Sequence, residues 1–285
     1  MTTPYQQPQP QQYQQAPGAS LGSYTSPIAV RRATFGDALA SEWTKIRSVR
    51  STMWTLGVLV VLIVGLGLLA AYVAEANNAH MGDSTVLVLG FYGVLLGLIC
   101  VITLGVLTIA SEYGTGMIRT TLTACPSRGR ILAAKSVVLF LLAFVIVTIT
   151  TALVAVVQNA VVTDAARPTG GEWLRATVGV GLYVAMIGLL ALAVGALIRH
   201  SAGSITIMIG VVLLPLVLAL FMFSDALSGV RKFLMEYSIP SQLSAFYGVS
   251  VSNSGPSGWE PLWIIAGITA LALGGAFLSL NSRDV

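Results

Sequence analysis

The sequence predicts an all-α integral membrane protein: six transmembrane helices, an amphipathic interfacial helix ahead of them, and both termini in the cytoplasm. Three observations predict it. Of the 285 residues 55% are hydrophobic and only 9% charged, where an ordinary soluble domain is about a quarter charged. So little charge cannot cover a surface in water, and the apolar excess must face lipid. Six apolar runs, at 52–74, 86–110, 137–160, 177–198, 205–223 and 261–280, are long enough for a hydrocarbon core of about 30 Å, which takes roughly 20 helical residues. Backbone groups in lipid must be satisfied within their own segment, so such spans are helices. The 15 basic residues are also unevenly shared between the connections. Arg31, Arg32, Lys45, Arg47, Arg50, Arg119, Arg128, Arg130, Lys135, Arg199 and Arg283 fall on one side, and Arg167, Arg175, Arg231 and Lys232 on the other. Basic residues gather on the cytoplasmic side, and an even number of spans then leaves both termini there. Residues clustered in this way flank a membrane, which argues against nucleic acid as a partner.

The elements follow in order. Residues 1–28 form a Gln/Pro/Tyr-rich tract without a charge. It lacks the basic start and apolar core of a secretory signal, and cannot bury enough surface to fold. Residues 1–33 are therefore expected to be a disordered cytoplasmic tail, either solubilising or partner-binding. In the segment 34–51, Phe35, Leu39, Trp43, Ile46 and Val49 recur at helical spacing. Thr34 with Asp37 three residues on gives a capping-box pattern. Such a helix lies in the interface, apolar residues down and cations toward headgroups. It is either a simple anchor or an anchor that also touches a cytoplasmic partner. The remainder, 52–285, carries the six spans.

Span two offers Gly90, Gly93 and Gly97 for close packing, and span five has Pro215. The few polar groups of span three (Thr148, Thr150, Thr151, Gln158, Asn159) are expected to serve packing first. No span carries an ionisable residue in its middle, where an ion-coupled transporter would place one. An apolar path favours hydrophobic or amphipathic cargo. The connection 224–260 is long, patterned partly as helix and broken at Pro240. It is too interrupted for a seventh span, and a re-entrant or surface-lying helix pair fits it. Cys100 lies in span two and Cys125 in a cytoplasmic connection, so a disulfide is not expected. His80 and His200 lie outside the spans on opposite sides, no metal-ligand spacing is present, and no Ser/Lys or paired-Asp site suggests an enzyme.

The cytoplasmic segment 111–135 is the most informative. It runs `SEYGTGMIRTTLTACPSRGRILAAK`: Glu112 where span two ends, two glycines, a short helix-compatible stretch, then Pro126 as a stop. Glu112 either marks the membrane boundary or pairs with a basic residue nearby or across a dimer. Its end, `GRILAAKS`, is one residue from the phosphate-cradling loop GxxxxGK[ST]. That loop needs glycine before its lysine so that backbone amides can wrap phosphate. Here the position is Ala134, and a membrane helix follows instead of a soluble α/β unit. Nucleotide is therefore not expected on this chain, and Lys135 reads as a headgroup anchor at a helix end.

The stretches `ALASEWTKIRSVRSTMWTL` (38–56), `ASEYGTGMIRTTLTACPSRGRILAAKS` (110–136) and the closing `NSRDV` (281–285) resemble permease subunits of type 2 ATP-binding-cassette (ABC) exporters, most of all the actinobacterial branch. The resemblance covers the chain from about residue 33. It departs at Gly114, where arginine is common, and at Cys125 before the proline. It implies a bacterial cytoplasmic membrane protein that pairs with a second permease subunit. It also implies a separate ABC ATPase subunit, which carries the ATP and Mg while this chain holds no cofactor and no catalytic residue. Two elements are implied to rest on that ATPase: the interfacial helix, with Glu42, Trp43, Lys45 and Arg47, and the connection after span two, with Glu112, Thr115, Ile118, Arg119 and Thr120. An ion-coupled transporter or channel is the alternative from a different class.

Overall fold

The computed structural model describes residues 34–79, 81–82, 84–124, 127–163, 165–249 and 254–282. The expectations for residues 1–33, His80, Cys125, Pro126 and Arg283 lie outside them. Among the described residues the chain is helical without a strand, and one isolated bridge pairs Thr85 with Ala166.

Helix α1 (Phe35–Ser48) begins as its sequence signals. The Thr34 hydroxyl accepts from the Asp37 amide at 3.3 Å, and the Asp37 carboxylate accepts from the Thr34 amide at 2.8 Å. This capping box satisfies two amides that the first turn would otherwise leave open. Val49 in extended conformation separates α1 from α2 (Arg50–Ala76).

Six helical segments are long and apolar enough to cross a membrane: Arg50–Ala76, Val86–Gly114, Arg128–Val161, Gly170–Ile198, Ser201–Phe221 and Glu260–Ser282. They coincide with the six runs of the sequence, and all six start earlier or end later than the apolar residues alone suggest. The second opens with a 3₁₀ turn, Val86–Gly90, before α3 (Phe91–Gly114). After α3 come the short α4 (Met117–Ala124) and the third span, α5 (Arg128–Val161). The fourth is composite: α6 (Gly170–Leu174), a π-helical turn over Arg175–Gly179, then α7 (Val180–Ile198). The fifth, α8 (Ser201–Phe221), continues through Pro215, and the sixth is α11 (Glu260–Ser282).

The fourth span is the central post. Its most apolar stretch is 72% buried, against 17–44% for the other five, and α3, α5, α8 and α11 all pack on α7. With no hydrophobic drive between helices in lipid, close approach depends on small residues. At the α3–α7 seam a Cβ on Gly105 would overlap the Gly188 carbonyl oxygen and come within 3.0 Å of the Ala191 Cβ. Two turns beyond Gly188 on α7, a Cβ on Gly195 would sit 3.1 Å from the Val106 oxygen. Gly105→Val is therefore expected to lower the stability of the purified protein by at least about 1–3 kcal/mol, the usual cost of overpacking, read as a drop in melting temperature. Gly65→Val, where a Cβ meets nothing within 4 Å, is the control and should melt near the wild type.

Between α8 and α11 lie α9 (Ser228–Tyr237) and α10 (Ile239–Ala245). Every residue of α10 is buried, and so are Phe246 and Tyr247 behind it. Ser238 breaks the chain between the two helices and caps α10, while Pro240 sits in the first turn of α10, where a missing amide costs nothing. The break falls just ahead of the proline and the proline helps start the next helix. The Phe246 ring lies 5.4 Å from that of Tyr183 on α7 and packs on Gly179 in the π-helical turn. A helix pair with one buried and one largely exposed member thus fills this connection.

Successive spans run in opposite directions, so the two ends of the bundle differ. One end carries α1, α4, the start of α5 and Arg199, and is the basic end. The other carries the Val86–Gly90 turn, α6, α9 and α10.

Candidate functional site

The basic end holds four ionisable side chains in one cluster. On α1, Glu42 and Lys45 are one turn apart; Glu112 is in the last turn of α3, and Lys135 lies two turns into α5. The Lys135 ammonium donates to Glu42 Oε2 at 2.9 Å, to Glu112 Oε1 at 2.7 Å and to the Thr108 carbonyl at 3.1 Å. An ammonium has three donors, so all of them are used. Lys45 donates to Glu42 Oε1 at 2.9 Å and to Glu112 Oε1 at 2.7 Å. Two carboxylates and two ammoniums thus alternate around a closed circuit with no net charge.

The sequence reading of Lys135 as a headgroup anchor is corrected here. Lys135 is 1% exposed, closed off from the surface where a headgroup would lie. The physical reason is the early start of α5: Arg128 and Arg130 occupy the helix entrance, and Lys135 is carried inside. Removing an ammonium from water is tolerable only with opposite charge and hydrogen bonds at hand, and Glu42 and Glu112 supply them. Glu112 therefore takes the pairing role, with partners nearby in its own chain. Burial pulls the Lys45 pKa down, but the hydrogen bonds and charges of Glu112 and Glu42 outweigh it and hold that pKa above the ordinary lysine value. Lys45 is charged throughout the neutral range.

The other residues singled out on the sequence divide in two. Ile118, on the inner face of α4, is buried and lines a small cavity with Ile109, Ile131 and Leu132. Trp43, Arg47, Thr115, Arg119 and Thr120 are exposed. The hydroxyls of Thr115 and Thr120 bond the carbonyls of Ser111 and Met117 in their own turns. Gly116, at φ +72°, makes the sharp turn from α3 into α4 that a side chain would strain. Gly114 is exposed, with open space where a Cβ would stand. Beside the cluster, the Arg199 guanidinium lies over the Tyr113 ring, 4.9 Å from its centroid. Arg199 ends α7 in a left-handed conformation, at φ 58°. Arg128, at the start of α5, donates to the Leu280 carbonyl of α11. The basic end is therefore tied together by side chains from five helices.

No group of three or more His, Cys, Asp or Glu among the described residues has metal-holding geometry. What the cluster does is join α1 to the ends of the second and third spans, while α4 presents Met117, Arg119 and Thr120 outward next to the joint.

Six membrane-length helices without a strand among the described residues, with a braced basic end, are those of a multi-pass membrane protein. Residues 38–214 match the family model described as ABC-2 family transporter protein, and the chain belongs to that family. The matched region contains Glu42, Lys45, Glu112, Lys135 and Arg199, and stops within α8, so α9, α10 and α11 lie beyond it. No curated protein matches the chain.

Proposed function

We propose that this chain is the membrane-spanning subunit of a bacterial ABC exporter in the cytoplasmic membrane, with the basic end and both termini facing the cytoplasm. A separate ABC ATPase subunit hydrolyses ATP with Mg, and a second permease subunit completes the transport unit. The cargo is hydrophobic or amphipathic. The observation that carries this reading is the Glu42–Lys45–Glu112–Lys135 circuit. A soluble motor can act on spans only through a stiff element joined to them. Here α1 and α4 are such elements, the first joined by ion pairs and the second by Ile118. Trp43, Arg47, Thr115, Arg119 and Thr120 are then the surface the ATPase touches. The buried α10 and its largely exposed neighbour α9 close the opposite end of the path.

The ion-coupled alternative gains nothing from the cluster. It lies at one end of the bundle, is neutral and closed on itself, and no span carries Asp, Glu, Lys, Arg or His in its middle. A proton or ion relay needs such groups along the path.

The test is copurification. Expressed with the ABC ATPase encoded beside it, the chain should leave detergent as one complex that hydrolyses ATP. Arg119→Glu should weaken that complex, more so at low salt, as expected of an exposed interfacial charge. A chain that binds no such ATPase under any condition overturns the reading.

A further inference from the structure

A cleft of about 270 Å³ opens beside the ion-pair circuit. Glu42, Lys45 and Glu112 line it where they meet, and its walls continue over Val49, Leu104, Leu107, Leu139 and Leu142. Leu104 lies two turns from Glu112 on α3, about 12 Å along the helix at 1.5 Å per residue. Leu142 lies two turns beyond Lys135 on α5. The cleft therefore runs from a polar head toward the middle of the bundle along an apolar wall. Its volume stands near the low end of small-molecule sites, which hold about 300–1,000 Å³.

Among the buried side-chain atoms of the described residues that line the cleft, one has no hydrogen-bond partner. Glu112 is 5% exposed, and its Oε1 accepts from both lysines. Its Oε2, equally buried, accepts from nothing among the described residues. A buried anionic acceptor without a donor is unfavourable, and a ligand donor that reaches it is correspondingly favoured. The circuit also decides the charge of that ligand. A cationic head would be set against the Lys45 and Lys135 ammoniums, both held 2.7 Å from the same carboxylate. An anionic head would face the bare carboxylate oxygen. A neutral hydroxyl or amide N–H meets neither objection.

We propose that this cleft binds an uncharged amphiphile whose head group donates a hydrogen bond to Glu112 Oε2 and whose apolar body lies against Leu104, Leu107, Leu139 and Leu142. The occupant is either a resident membrane lipid with a hydroxyl head or transported cargo of the same chemistry. Binding is measured on the permease alone, so the site does not depend on the ATPase reading.

The test uses the whole chain in lipid nanodiscs with a diazirine-bearing octanol, photolysed and mapped by mass spectrometry. Label is expected on the α3 and α5 residues of the cleft. Octan-1-ol should displace it about tenfold or more better than octyl methyl ether, which keeps the oxygen but lacks the donor. Octylammonium and octanoate should displace it no better than the ether. Thr55→Phe, which fills the cleft from α2 and leaves all four charged residues in place, should remove the label while the protein still elutes and melts as a folded species. Equal displacement by alcohol and ether, displacement by the ammonium, label confined to outward-facing residues such as Leu141 and Leu153, or full labelling of Thr55→Phe overturns the proposal. A second arm separates the sources. Octan-1-ol that raises ATP hydrolysis of the reconstituted complex identifies cargo, and octan-1-ol that binds without effect on hydrolysis identifies a resident lipid.

Discussion

Lys135→Met is expected to cost the purified permease about 3–5 kcal/mol, the range for removing one partner from a buried ion pair. The side chain is nearly isosteric, so no cavity accounts for the loss. What remains is Glu42 and Glu112, both buried, with only the part-exposed Lys45 between them. Two carboxylates with one cation cannot both stay ionised in that setting without penalty, and one must take up a proton or the helices must separate. The measurement is thermal unfolding in detergent or nanodiscs, compared with a variant in which all four charged residues are replaced together by apolar or neutral side chains of similar volume. That variant should recover most of the loss, because no uncompensated charge is left. If Lys135→Met and the fourfold variant melt alike and close to wild type, the circuit contributes nothing to the fold.

This contrast bears on why the circuit is there at all. Ion pairs of this kind are weak evidence for stability, since apolar replacements often do as well. Their distinctive property is directional. Leucines in the same places would let α1 slide over the ends of α3 and α5, whereas two fixed hydrogen bonds between charged groups, Lys45 to Glu112 and Lys135 to Glu42, set one register. A joint that passes force needs such a register, and oily packing alone supplies it poorly.

The spans were legible in the sequence because the bilayer dictates their length and polarity, and nothing else in the chain imitates a 20-residue apolar run. The start of α1 was legible because its capping box is local, closed between Thr34 and Asp37. The circuit was not, because it joins residues 67, 93 and 23 positions apart. A partial signal existed. Glu42 stands three residues after Leu39 and four before Ile46, on the same face as both, so the apolar stripe of α1 had a carboxylate in it. Lys135 was misjudged because apolar content alone started the third span at 137, whereas the helix starts at Arg128. A lysine at a helix entrance snorkels, but one two turns inside must find acids. The burial of α10 was likewise hidden, since it depends on Phe246 meeting Tyr183 and Gly179 across the bundle.

The pair of substitutions Glu42→Gln and Lys45→Met, made together, is expected to separate folding from transmission. Both charges that α1 contributes disappear, so the remaining Lys135–Glu112 pair is still neutral and still bonded at 2.7 Å. The amide oxygen of the new glutamine can accept the Lys135 proton that Glu42 Oε2 now accepts at 2.9 Å. Stability should therefore fall by only about 1–2 kcal/mol, the worth of the charge-assisted hydrogen bonds lost. The register of α1 on the span ends is what goes. In the proposed complex with an ABC ATPase, a thiol placed at Thr55 in the cleft should change its labelling rate when ATP is added. In the double variant, assembled to the same extent, that response should shrink about 5–150-fold, the span of typical coupling energies of 1–3 kcal/mol. The single changes give the internal control. Lys45→Met alone leaves a surplus carboxylate and Glu42→Gln alone a surplus ammonium, so each should destabilise more than the pair while transmitting no better. An ATP response that survives intact in the double variant would show that α1 is an anchor and that the force enters through α4 alone.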